Sequence, residues 1–154
     1  MIPGFQSLDE SETELALKAP ILVCILIAGA DGTIDRKEIK EAITVTQHQE
    51  DFDAILSSYI AEMAEDFEDK MKILIQSYPY ESTQRTPLIV AELAGLNNIW
   101  KKLDKTFATA FYAMLINLAK KIASSSGGLL GLRSVDAEEA KYISLPMVKD
   151  PSKI

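Results

Sequence analysis

Seven consecutive residues, Ile21 to Ile27 (ILVCILI), offer water no polar side chain, and this stretch constrains the fold more than any other in the chain. A helix built from it has no face to leave in solvent, so other elements must wrap it on every side. It is expected as the central core helix. Directly after it the chain reads AGADGTIDRKE, in which Asp31-Gly32 supplies a tight turn, Gly32 tolerating positive φ. Asp35 then stands as an N-cap, Glu38 completes a capping box, and Ile34 and Ile39 hold the positions of a hydrophobic staple. Three local signals place the start of a second helix at the same residue.

With 154 residues the chain can bury a core without disulfides or a structural metal. Its one cysteine, Cys24, falls inside the apolar run and is expected as a small core side chain. The opening residues are acidic and lack the basic region of a secretory signal. The longest apolar run, 21–30, is too short to span a bilayer. A cytoplasmic protein without a transmembrane segment is expected, with peripheral association at a membrane surface left open. The net charge of −7 disfavours nucleic acid, since no surplus of Lys and Arg exists to neutralise phosphates. Charge is unevenly spread: residues 1–70 hold 16 acids and 5 bases, residues 71–154 hold 7 acids and 11 bases. The first half can attract cations or simply keep the protein soluble.

The remaining elements follow from apolar spacing and caps. Ser11 and Glu14 have capping-box spacing, predicting a first helix that Pro20 kinks or restarts. Residues 35–47 form an amphipathic helix. Phe52, Ile55, Leu56, Tyr59, Ile60, Met63 and Phe67 recur at helical spacing over 50–67, and the acids Glu62 to Asp69 at its C-terminal end should break it there. A shorter helix carries Met71, Ile73, Leu74 and Ile75 up to a loop at 77–85. Thr86-Pro87 predicts a new start and a helix to about Trp100. Asp104 caps a long helix with Phe107, Phe111, Met114, Leu115, Leu118 and Ile122 inside, ended by the Ser/Gly stretch 124–128. Asp136 and Glu139 cap a last short helix. Residues 1–8 and 147–154 are expected as loose termini. No alternating strand pattern competes, so the fold class is all-α: a compact bundle of about seven helices around the buried apolar helix. A weak internal two-fold repeat aligns the stretch around Asp31 with 122–139, as apolar helix, Gly turn, β-branched residue, Asp cap and Glu.

Asp31, Asp35 and Glu38 are the one constellation with chemistry in it. Three carboxylates around a turn can converge on a hard cation such as Ca²⁺ or Mg²⁺. The alternative on local physics is that Asp35 and Glu38 cap a helix while Asp31 makes an Asx turn. A complete EF-hand is excluded, because Ile27 and Gly29 would fall where oxygen ligands are needed. His48, the one histidine, has no cysteine near it, and no nucleophile elbow, phosphate loop or dinucleotide fingerprint occurs. Nothing points to an enzyme. Lys101, Lys102 and Lys105 make at most a small basic patch on a solvated face.

Over Ile27 to Glu38 the chain resembles the TerB-like family, named for bacterial tellurite resistance. The resemblance implies a single TerB-like helical domain over 1–154, with Asp31, Asp35 and Glu38 from the first segment and Asp136 and Glu139 from the second as metal ligands. The second segment departs from the pattern, since Ser126, Gly127 and Gly128 stand where the family has another Asp-Gly turn. The leading expectation is a non-enzymatic module of the tellurite or stress response that binds a divalent cation or a partner protein through the acidic turn. The alternative is a helical protein-interaction module in which the acids only cap helices. A small metal-dependent hydrolase comes third, as it would need two carboxylate clusters to meet. Whichever holds, the apolar helix has no exposed face to relax into. Leu26→Ala should therefore cost roughly 2–5 kcal/mol in chemical denaturation, and a loss under about 1 kcal/mol would place the helix at the periphery.

Overall fold

The computed structural model describes residues 2, 4–28, 54–127 and 141–154. Helix α1 spans Glu10–Ala28. Its cap is a reciprocal pair: the Glu12 amide donates to Asp9 Oδ1 at 2.8 Å and the Asp9 amide to Glu12 Oε1 at 3.0 Å. The capping box thus lies at Asp9 and Glu12, two residues before the expected Ser11 and Glu14. Both pairs have the right spacing, and Lys102, 2.9 Å from Glu12, favours the earlier one.

Pro20 neither ends nor restarts α1, which continues through it as one helix. Proline has no N–H for the carbonyl four residues back, here Ala16, and an unpaired carbonyl in the interior costs about as much as a lost hydrogen bond. The Tyr59 hydroxyl, itself fully buried, supplies the missing donor at 2.6 Å from Ala16 O. Beyond Pro20 every residue from Ile21 to Ala28 is buried, so the wrapped central helix is observed.

A 3₁₀ turn at Ala54–Leu56 leads into α2 (Ser57–Ala64). The chain breaks where acids crowd the helix end, Glu65 extended and Asp66 left-handed at φ 55°, a conformation Asp tolerates better than most residues. α3 (Phe67–Ser77) follows. Leu56, Tyr59, Ile60, Met63 and Phe67 are buried as their spacing predicts, whereas Ile55 is exposed. α4 (Ser82–Ala94) starts earlier than Thr86-Pro87 would have it, with Pro87 inside its second turn and on the exposed side, where water can reach the carbonyl it leaves unpaired. Arg85, buried, fixes the approach by donating from Nη1 to Tyr80 O at 2.6 Å. After Gly95 come α5 (Leu96–Ile99) and a 3₁₀ turn at Trp100–Lys102. A Cβ on Gly95 would sit 2.9 Å from Leu15 Cδ2, so a residue without one lets this corner close against α1.

Asp104 Oδ2 accepts from the amides of Thr106 and Phe107 and caps α6 (Lys105–Gly127), as expected. All six predicted inner residues from Phe107 to Ile122 are buried. The helix runs to Gly127, inside the Ser/Gly stretch 124–128 expected to end it. Among the described residues there is no strand. The helix at 35–47, the last short helix and the turns of the proposed repeat lie outside the described residues, and the count of about seven helices rests partly on them.

The most extensive packing is between α1 and α6. Their starts lie together: Phe5 stacks edge-on against Phe107 with centroids 5.8 Å apart, Tyr59 packs on Phe111 at 4.7 Å, and Lys102 reaches Glu12. Two helices that begin side by side and stay in contact run in the same direction. The termini expected to be loose are held. Ile2 and Phe5 are buried. At the other end Leu145 accepts φ 48°, an unusual cost for leucine, and its side chain is completely buried. Asn97 then clamps the tail with both ends of its amide, to Met147 O and the Lys149 amide, and Trp100 Nε1 donates to Lys149 O. Buried apolar anchors and satisfied backbone groups leave the segment little reason to detach.

The partnership of Tyr59 with the Pro20 gap can be tested by a double-mutant cycle. Tyr59→Phe should cost about 1–3 kcal/mol, because it strands a buried carbonyl. In a Pro20→Ala background, where an N–H returns to serve Ala16, the same change should cost clearly less. Equal costs in both backgrounds would separate the hydroxyl from the proline.

Candidate functional site

All five residues proposed as metal ligands, Asp31, Asp35, Glu38, Asp136 and Glu139, lie outside the described residues, as does His48. Among the described residues no group of three His, Cys, Asp or Glu is placed to hold a metal ion. The described part is the scaffold that leads to these acids. The described part of α1 reaches Ala28, three residues before Asp31 in sequence, and that of α6 reaches Gly127, nine before Asp136. In sequence, both acidic segments follow helices that run in the same direction. A helix C-terminus carries roughly half a negative charge and unpaired carbonyls, which attract cations. Cys24 is fully buried in the core, and burial drives its thiol well above the ordinary range, which favours the neutral thiol.

Polar groups gather elsewhere, at the seam between α1 and α4. Lys18 Nζ lies 2.7 Å from Glu92 Oε1, and the Tyr78 hydroxyl donates to Glu92 Oε2. Burial of the Tyr78 ring, together with the hydrogen bond and charge of Glu92, pushes its hydroxyl well above the ordinary range, so it stays a donor. A cleft of about 320 Å³ opens beside the pair, with Ser11, Glu14 and Asn98 on its walls. The arrangement joins three elements through one carboxylate, and Lys18 and Glu92 satisfy each other. No nucleophile paired with a base lies in this cleft. Sequence reasoning missed the set, although a signal existed: Lys18 is the last charge before the apolar run, and Glu92 is the one acid of α4.

The basic patch does not hold together. Lys102 pairs with Glu12, while Lys105 Nζ turns to the Ile154 carbonyl at 3.5 Å. Trp100, buried, uses its indole N–H on the tail and offers no stacking face to a base. Compared with models of known families, with curated proteins and with solved structures, the chain finds no match.

The cap of α1 carries a pH signature. Lys102 donates to Glu12, the Asp9 amide adds a second hydrogen bond, and together they hold the Glu12 carboxyl below its ordinary 4.5. A depressed carboxyl contributes stability that is present above its ordinary value and is lost as pH falls through the folded one. Urea denaturation at neutral and strongly acidic pH should show a smaller loss for Glu12→Gln than for the wild type. An identical pH dependence in both proteins would rule out this contribution.

Proposed function

We infer that the chain is a non-enzymatic, TerB-like helical module of the bacterial tellurite-resistance or stress response, acting in the cytoplasm. In this reading the acidic turn binds a divalent cation, Ca²⁺ or Mg²⁺, a partner protein, or both. The observation that carries it is the shared direction of α1 and α6. Asp31 follows Ala28, the last described residue of α1, by three residues, so at about 3.3–3.6 Å per residue its Cα lies within roughly 11 Å of Ala28. The negative ends of two packed helices favour positive charge in the region that the acids can reach. Asp31, Asp35 and Glu38 form the core of the proposed site, with Asp136 and Glu139 joining from the second segment. The nine residues after Gly127 are long enough for that and do not compel it.

A second reading, a helical protein-interaction module whose acids only cap helices, is favoured by the exposed large apolar side chains of the α3–α4 region, Ile73, Tyr80 and Leu88. The two readings make different demands on Asp31, which precedes the cap and is dispensable to it. A cation that binds only the folded state raises stability by mass action, about 2.7 kcal/mol at a hundredfold excess over Kd. For a chain of this size that is a rise of roughly 5–10 °C in melting temperature. Wild type should show such a rise with Ca²⁺ or Mg²⁺ over chelator. Asp31→Asn should melt like the wild type in chelator and gain much less from the metal. If calorimetry detects no binding at millimolar cation and melting ignores both metal and chelator, the cation site is lost and the interaction module stands.

A further inference from the structure

We propose that a groove at the start of α1 docks an amphipathic helical segment of a partner protein, one that carries Lys and Arg around an apolar stripe. The inference goes beyond the acidic turn and uses none of its residues. The groove has a volume of about 620 Å³. Its floor is apolar: Ile2, Phe5, Leu8 and Leu17. Phe5 is locked in place from behind by Tyr59 and Phe107, at 6.2 and 5.8 Å between ring centroids. Leu8 and Leu17 are only half-buried and packed against the core from one side, so each keeps apolar surface in water that a partner can cover.

The rim has one sign of charge. Asp9, Glu10 and Glu14 stand along α1 and its cap, and Glu62 faces them from α2. No Lys or Arg is among the residues that line the groove. The base that follows along α1, Lys18, is held by Glu92 on the α4 side. An apolar floor inside a polar rim is the anatomy of a protein interface, and apolar anchors at successive helical turns of a partner suit an open groove. Complementary potential selects the flanking residues of the partner as basic and disfavours anionic lipid or nucleic acid. An isolated small cation would leave the leucines uncovered.

The probe is a short helical peptide of Leu and Lys with its leucines on one face, and its Leu/Glu counterpart as control, each titrated calorimetrically into the intact protein. The Leu/Lys peptide should bind saturably at one site and the Leu/Glu peptide should not. Glu14→Lys combined with Glu62→Lys should weaken binding by about tenfold or more. Asp69→Lys combined with Glu81→Lys makes the same change in net charge at positions that do not line the groove and should weaken binding clearly less. All four positions are exposed, and far-UV circular dichroism confirms folding of both variants. Amide shifts induced by the peptide should centre on Leu8 and Leu17. The proposal is overturned by an absence of binding, by equal weakening in both double variants, or by shifts centred elsewhere. Self-association of the protein that the Glu14/Glu62 variant abolishes would give the groove to a second copy and equally overturn it.

Discussion

One buried hydroxyl makes the central helix possible. An α-helix that contains proline loses the hydrogen bond to the carbonyl four residues back, and the interior offers that carbonyl no water. Tyr59, 43 residues downstream, donates to Ala16 O and closes the gap. The same ring packs against Phe5, Phe107 and Phe111, so the contact that completes α1 also fixes α2 and α6 against it. Burial leaves the hydroxyl no other use: it is pushed far above the ordinary tyrosine range and persists as a donor. Helix continuity, the aromatic cluster and the position of the N-terminal turn therefore depend on one another.

Features set by neighbours in sequence were readable in advance. The inner face of α6, its Asp104 cap, the break after Ala64 and the total burial of Ile21 to Ala28 all follow from spacing and local chemistry. Features set by distant partners were not. Asp9 and Ser11 both begin a valid capping box, and a lysine 90 residues away accompanies the one adopted. Pro20 signals a kink or a restart, yet α1 runs on past it, and a distant tyrosine takes up the carbonyl it leaves unpaired. The C-terminal tail reads as polar and punctuated by proline, yet Asn97 and Trp100, some fifty residues earlier, supply its hydrogen bonds. Of the candidate sites, the acids around Asp31 stand out in sequence because they cluster within eight residues. The Lys18, Glu92 and Tyr78 set escaped notice because its members come together only when α1 and α4 pack.

The described surfaces divide their labour by charge and polarity. At the seam of α1 and α4 opposite charges cancel, and the result is structural. At the N-terminal groove acids surround an apolar floor, and no Lys or Arg is among the residues that line it. The two longest described helices run the same way, so their peptide dipoles add rather than cancel.

The shared direction of α1 and α6 bears on how such a chain is made. Two helices that run the same way cannot be joined by a short turn, so the chain must return the length of the bundle before α6 can begin. Roughly a hundred residues separate the end of α1 from the end of α6. At ribosomal speeds of about 5–20 residues per second, the apolar helix is finished some 5–20 s before its most extensive packing partner is complete. During that interval the most water-averse segment of the protein, with its Ala16 carbonyl waiting for Tyr59, is open to any surface that will shelter it. The nascent chain, more than the folded protein, is where this architecture is exposed to chaperones and to aggregation.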